Sequence, residues 1–346
     1  MCFHCLYSNK PVMENNLIQQ RLLSLVQDMT PDKYSLVFEL SELLSVSTDS
    51  IYRRMRGETL LDVIELQKIC LHYNISFDSI CGTEQTGLVS FLYQPVIELS
   101  DFKKWMGTIA ANLKTLLNKK DSYIIYAAID IPVFHNFRFP LVSFFKTLYW
   151  LKSIANHSDY QNVKFSREHV NAEFVTAGKA MHELYSSIPS TEIWTDLITY
   201  SLLRQIDYYW DSGEFATRED ALALCDEVEK EFEYLQNAAE NGSKIPDKKK
   251  IPGDQVNFQL YDCDIEIANN CILVVNGEQK TVYQSTQTFN IITTSNTLFA
   301  NETHRWLNTL IKKSTLISEV GGKQRSIFFR EAFEHIARLK QKISDH

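Results

Sequence analysis

The chain has 346 residues, 45% of them hydrophobic and 12% aromatic, with a net charge of −8 at pH 7. That apolar content can fill the cores of two or three domains and excludes a disordered chain, while the negative balance excludes a protein that coats nucleic acid by charge alone. Seven cysteines, scattered without a framework in a chain too large to need stapling, point to a reducing cytosol.

Residues 1–12 read as an extension ahead of Met13. Cys2, His4 and Cys5 resemble half of a metal site, but no second pair follows at zinc spacing, so neither metal nor other cofactor is expected. No basic segment precedes an apolar run with a small-residue cleavage site, so a signal peptide is not expected. A first helix is expected over Leu17 to Met29. The stretch from Leu40 to Gly57, LSELLSVSTDSIYRRMRG, then carries the strongest pattern in the chain. Leu40, Leu43 and Leu44 fall at i, i+3 and i+4 on one helix face. Ser45, Val46 and Ser47 break that pattern, Val46 as the apolar plug of a turn and Ser47 as a good N-cap for a second helix from Thr48 to Arg56. Ile51 and Met55 are i, i+4 partners expected to face inward, and Gly57 suits the left-handed position that closes a helix. A further helix is expected over Leu60 to Tyr73, with Val63, Leu66, Cys70 and Tyr73 on its inner face, then a short one ending at Ile80.

This order and spacing resemble the lambda-repressor-like (Xre-type) helix-turn-helix family, whose commonest form reads roughly L-A-x-x-L-G-V-S, three polar residues, I, and a basic stretch ending in R-G. Ser41 stands where the family has alanine, Ser45 where it has the turn glycine, and Arg54 where it has an apolar residue. The resemblance covers the first quarter of the chain. It implies an all-α DNA-binding domain over residues 1–84 whose second motif helix enters the major groove of double-stranded DNA. The residues it implies for DNA binding are Ser47, Thr48, Asp49, Ser50, Tyr52, Arg53, Arg54 and Arg56. Thr48, Asp49, Ser50 and Arg53, in the leading turns, are expected to read bases, and Arg54 and Arg56 to hold phosphates. Residues 1–84 hold seven Lys or Arg against eleven Asp or Glu, a net −4. Binding must therefore rest on oriented contacts and on two copies per site, and a homodimer is expected.

Residues 85–100, with Gly87 and Pro95, read as a linker, and Leu99 to Lys120 as an amphipathic helix. Tyr123 to Leu151 is the most apolar stretch. Asp130, His135, Asn136, Arg138 and Lys146 interrupt it, with Pro132 and Pro140, so no run approaches the roughly 18 residues of a membrane span. Tyr123 to Ala128 is expected as a strand, 130–140 as a loop, and Leu141 to Ile154 as a buried helix; the aromatic density suits a plain core or the lining of a pocket. Helices are expected over Arg167 to Ser187, Thr191 to Trp210 and Thr217 to Glu240, with Ser166, Ser190 and Thr217 as N-caps. The aromatics of the second, Trp194, Tyr200, Tyr208, Tyr209 and Trp210, suit core packing against its neighbours, the simpler reading, or the contact of a dimer. Beyond the basic run Lys248 to Lys250, strands are expected over Val256 to Tyr261, Cys271 to Val275, Thr281 to Gln284 and Phe289 to Thr293. Asn276 and Gly277 suggest a type I′ turn between the second and third. Helices over Asn301 to Lys313 and Gln324 to Lys342 close the chain.

The expected architecture is multidomain: the helical DNA-binding domain, a mainly helical region 101–250, and an α+β segment 251–346 with an antiparallel hairpin, packed with the preceding helices. No nucleophile elbow, phosphate-binding glycine loop or zinc-protease motif occurs. Asp130 and His135 are the nearest approach to an acid/base pair. The expectation is a bacterial cytoplasmic transcription regulator, not an enzyme, whose C-terminal part senses a small-molecule or protein effector or joins copies. Its rivals are a protein-interaction module and an enzyme fused to a DNA-binding head.

Overall fold

The computed structural model describes residues 14–30, 33–73, 75–81, 87–96, 99–119, 121–170, 172–245, 257–287 and 290–345. Cys2, His4, Cys5 and the run Lys248 to Lys250 lie outside the described residues. The chain divides into two compact units, 1–90 and 91–346.

The first unit is built from α1 (Glu14–Met29), α2 (Lys33–Leu44), α3 (Thr48–Met55), α4 (Val63–His72) and α5 (Phe77–Ile80). Leu22, Val26, Leu36, Leu40, Leu44, Ile51, Ile69 and Ile80 form its core. The inward roles expected of Leu40 and Ile51 are therefore observed. α2 and α3 end in the same way. After α2, Ser45 takes φ 56°, its N–H donates to the Glu42 carbonyl at 3.2 Å, and the Val46 N–H reaches Ser41 O at 3.1 Å. After α3, Gly57 takes φ 76°, with Gly57 N–H to Arg54 O at 3.0 Å and Glu58 N–H to Arg53 O at 2.9 Å. Both are Schellman closures, which need one residue in the left-handed region. Glycine meets that need freely in the second and serine does so at a cost in the first. One expectation fails: Val63 is 83% exposed. Asp62 caps α4 through a capping box with Glu65, which puts Val63 at the first helical position on the outer side and leaves Ile69 and Tyr73 to face the core.

The second unit is a mixed sheet covered on both faces. In chain order it contains β1 (Leu92–Gln94), α6 (Leu99–Leu117), β2 (Tyr123–Ala128), α7 (Val133–Asn136), α8 (Pro140–Tyr149) with a π-helical turn over Trp150–Ile154, and α9 (Ala172–Ser186). Then come β3 (Ser190–Trp194), α10 (Ile198–Asp211), α11 (Arg218–Asn241), β4 (Phe258–Asp262), β5 (Cys271–Asn276), β6 (Gln279–Gln287), β7 (Asn290–Thr294), α12 (Thr297–Lys313), β8 (Thr315–Leu316) and α13 (Gly322–Asp345). The strand order is β1-β7-β6-β5-β2-β3-β4-β8; β2, β3 and β4 run parallel and the other pairings are antiparallel. Ile124, Tyr126, Trp194, Phe258 and Leu260 face a thick helical layer. On the alternate positions Ile125, Ala127, Ile193, Leu273 and Val275 meet Leu307 and Leu310 of α12.

Several expectations change here. The stretch read as a linker supplies β1, which extends the sheet edge by pairing Leu92 to Gln94 with β7. Residues on either side of 250 share one sheet, since β2 pairs with β5 along its length and both belong to the unit 91–346. The β structure is a mixed sheet rather than an antiparallel segment. Thr191 starts no helix: Ser190–Trp194 is a strand held between β2 and β4. Glu192 on this strand points into the helical layer and is fully buried. The β5–β6 turn is also shifted by one residue. Asn276 pairs with Gln279, so Gly277 and Glu278 are the central residues, and only Gly277 (φ 64°) is left-handed. That matches a type II′ turn, with glycine first, rather than type I′. Gly178 lies inside α9, where a Cβ would stand 2.9 Å from the Phe137 carbonyl oxygen. Its missing side chain lets α7 and α9 approach.

Candidate functional site

On α3 the Ser47 hydroxyl accepts the Ser50 N–H at 3.3 Å and lies 3.1 Å from the Ser50 hydroxyl, so both serines serve the helix start. Thr48, Asp49, Arg53 and Arg56 are exposed and Tyr52 is partly so. Arg53 is paired with Asp49 one turn earlier at 3.2 Å, and Arg56 with Glu58 at 2.6 Å; all four side chains are more than half exposed. Such pairs hold their charges loosely in water. The Glu58 partner raises the Arg56 pKa, and Arg56 lowers that of Glu58.

Arg54 belongs to a different system. Its side chain is only 13% exposed and grips Glu65 with a two-pronged contact, Nη2 to Oε1 at 2.6 Å and Nε to Oε2 at 3.1 Å, while Nη1 reaches Ser50 O at 3.3 Å. Glu65 also accepts the Asp62 N–H at 3.2 Å, so this arginine, at a position the resemblance makes apolar, fastens α3 to the start of α4. The residue expected to hold phosphate is thus taken up by Glu65 in this structure. Nothing in the motif pointed to Gln19. Its buried amide donates to Arg54 O (2.8 Å) and Thr59 O (2.9 Å) and accepts the Leu61 N–H (2.7 Å), tying α1 to the segment that follows α3. Ser41 likewise donates to Val46 O at 2.6 Å, bracing the turn.

In the second unit a cavity of about 420 Å³ opens between α6 and the sheet. Ile124 and Tyr126 of β2, Ile272 and Val274 of β5 and Tyr283 of β6 form one wall, and Trp105, Ile109, Leu113 and Leu116 of α6 form the other. A polar patch interrupts this lining. Asp130, just past β2, pairs with Lys146 of α8, and Lys146 also donates to Gln205 Oε1 of α10 at 3.3 Å; Ser201 stands one turn before Gln205. The loop aromatics thus serve both readings: Phe137 and Phe139 are core, while Phe134 also lines the cavity.

Asp130 and His135, the possible acid/base pair, are drawn apart. His135 Nε2 faces Glu192 at 2.9 Å, and Glu192 also accepts from the Tyr185 hydroxyl (2.6 Å) and Trp194 Nε1 (2.9 Å). Burial by itself would raise the Glu192 pKa, but His135 and Lys244 hold it below the ordinary value. Lys244 is fully buried, donates to Ile188 O (2.8 Å) and Ser190 Oγ (2.6 Å), and lies 3.9 Å from the centre of the Tyr185 ring; burial pulls its pKa down to about 7. Burial lowers His182 to about 3 and raises Glu231 to about 8. Glu231 Oε1 accepts from Asn136 Nδ2 at 2.8 Å. Glu192, His135 and Glu231 have no surface exposure. The cluster ties β3 to α7 and α9 above it.

Of the residues expected to act in the head, Thr48, Asp49, Tyr52, Arg53 and Arg56 share an accessible face, whereas Ser47, Ser50 and Arg54 hold the motif together. Among the described residues no group of His, Cys, Asp and Glu could hold a metal ion, and no helix is long and apolar enough to cross a membrane. Of the aromatics expected at a dimer contact, Trp194 and Tyr209 are core, leaving Tyr200 and Tyr208 exposed on α10. Searches with protein-family models, against curated proteins and against solved structures give no match for this chain.

Proposed function

We propose that this chain is a bacterial, cytoplasmic transcription regulator that binds double-stranded DNA through α3 of a lambda-repressor-like head, as a homodimer joined through residues 91–346. The observation that supports this most is the pairing of α2 and α3 across a Schellman turn at Ser45, with Ile51 buried and Thr48, Asp49, Tyr52 and Arg53 presented on an exposed, N-capped helix. A helix laid in the major groove needs a free leading turn and a rigid seat, and the Gln19 and Arg54–Glu65 contacts supply that seat. Asp49 and Arg53 then face base edges, where a carboxylate accepts from cytosine and a guanidinium donates to guanine, while Arg56 lies toward the phosphates. The polar patch and cavity give the larger unit a place for an effector. The reading includes no catalytic step.

The test is a gel shift of the full chain against DNA flanking its own gene. Arg53→Ala is expected to weaken the preferred site by about 1–3 kcal/mol and relax specificity at one position, and Arg56→Ala to weaken all sequences alike. Arg54→Ala is expected to lower the stability of the first unit. Equal loss on every sequence from Arg53→Ala and Arg56→Ala would overturn this division of roles, and failure to retain any DNA would overturn the reading.

A further inference from the structure

We propose that the cavity between α6 and the sheet binds a small amphipathic molecule with an extended apolar body and an uncharged hydrogen-bond acceptor at its head, an amide, ester or ketone carbonyl. Only the regulatory meaning of this site rests on the DNA-binding reading; the site itself stands on its own geometry.

The apolar body follows from what is left unfilled. On the same face of the sheet, Trp194, Phe258 and Leu260 close the space over β3 and β4 completely. Over β5 and β6 the chain instead leaves about 420 Å³ open, lined by side chains such as Ile109, Leu113, Ile272 and Val274. An unfilled cavity destabilises a fold, and this volume falls within the range of small-molecule sites, about 300–1,000 Å³. Asn112, Thr115 and Asn269 line the cavity while remaining exposed, so solutes can reach it.

The head group follows from the polar patch. Lys146 is 5% exposed, and its ammonium has three N–H donors. One goes to Asp130 and one to Gln205 Oε1, and the third has no acceptor among the described residues. The Gln205 amide N–H groups and the Ser201 hydroxyl make no hydrogen bond among the described residues either, and both side chains line the cavity. Asp130, in turn, accepts both from Lys146 and from the Ile131 N–H at 2.9 Å. The patch therefore offers donors in excess, while its two charges cancel. An anionic head would bring an uncompensated charge beside Asp130 into a poorly solvated space, and a cationic head would place a like charge beside Lys146. A neutral carbonyl matches the donors without either penalty.

The experiment uses the full chain without DNA, with the neutral dye N-phenyl-1-naphthylamine as fluorescent probe and three competitors sharing one alkyl body: decanamide, decanoate and decylamine. Saturable dye fluorescence is expected, with decanamide displacing the dye at a concentration at least tenfold below either charged analogue. Gln205→Leu, which removes a head-group donor but keeps the lining, is expected to abolish that tenfold preference and retain dye binding. Ile109→Trp, or Ile272→Phe on the opposite wall should the first not fold, is expected to weaken dye binding at least tenfold with an unchanged melting temperature. Absence of saturable dye binding, equal displacement by the three competitors, or unchanged dye binding in the filled variant would overturn the proposal. Since no DNA is present, failure of the head to bind DNA would leave this result standing, and failure of the dye assay would leave DNA binding standing.

Discussion

Charge is used in opposite ways in the two units. On α3, Arg53 and Arg56 stand in water beside carboxylates that hold them loosely, so their charge remains available to another molecule. Around β3, Glu192 and Lys244 lie wholly inside, each enclosed by donors or acceptors of the protein itself. Water is the difference. An exposed pair exchanges partners at little cost, whereas a buried one cannot lose a partner without stranding a charge in a poor solvent. Arg54 shows how far position decides the matter: one residue from Arg53, it is largely buried on Glu65 and serves the fold.

If the two units are independent in this sense, damage to one core should leave the other folded. The largest effect is expected from Ile51→Asp, which places a carboxylate in the small core at a cost on the order of 5 kcal/mol. Circular dichroism should show loss of the first unit's helices with the transition of residues 91–346 retained; a single transition lost throughout the chain would show that the boundary near residue 90 is wrong. Glu192→Leu is expected to cost the second unit about 3–5 kcal/mol, because His135, Tyr185, Trp194 and Lys244 all lose their acceptor or counter-charge. Denaturant titration should show that unit's midpoint falling while the first unit's stays. A shift below about 1 kcal/mol would mean this cluster is not what holds β3 to its helices.

A pH series sharpens the comparison further. The Glu231 pKa is raised from 4.5 to about 8 by burial, so the folded state keeps its proton where the unfolded chain releases it. Stability from this group is full below about pH 4.5 and is lost as pH rises toward 8, at up to ~1.4 kcal/mol per pH unit. Lys244, lowered from 10.5 to about 7, acts in the opposite direction between those values, and His182, lowered from 6.5 to about 3, does so below 6.5, so the glutamate is read as the difference between wild type and a Glu231→Gln variant. Denaturation between pH 5 and 7 should show the second unit of the wild type losing stability relative to that of Glu231→Gln as pH rises; equal slopes would place the titration elsewhere. The smallest effect belongs to the turn of the first unit. Ser45 holds φ 56°, so Ser45→Gly is expected to stabilise that unit by about 0.5–1 kcal/mol, read as a rise in its melting temperature alone.

What could be read from the chain before folding follows the range of the interactions. Ser47, Thr217 and Gly57 mark helix ends because a cap is made within a few residues, and the structure places all three at helix ends as expected. Tyr123–Ala128 and the β5–β6 hairpin were legible from short apolar or β-branched runs, although the turn lay one residue further on. In the candidate DNA-contact face, spacing separated Ile51 from Thr48 and Arg53, but it could not separate Arg53 from Arg54. Both are arginines on the same short helix, and only the arrival of α4 brings Glu65 to one of them.

The sequence by itself thus determined the local pieces: where helices start and stop, which leucines and isoleucines turn inward, and a head built on the α2–α3 turn. Only the tertiary structure decided that Ser190–Trp194 is a strand, that residues 92–94 join the sheet, and that Asp130, Lys146 and Gln205 meet beside an open cavity. A strand between two parallel neighbours gains its hydrogen bonds from segments more than 60 residues away, here β2 and β4, and nothing in its own five residues records that they will be there. Glu192 becomes the centre of a buried network in the fold, because the four groups that make its burial tolerable come from α7, α9, β3 and the segment that follows α11.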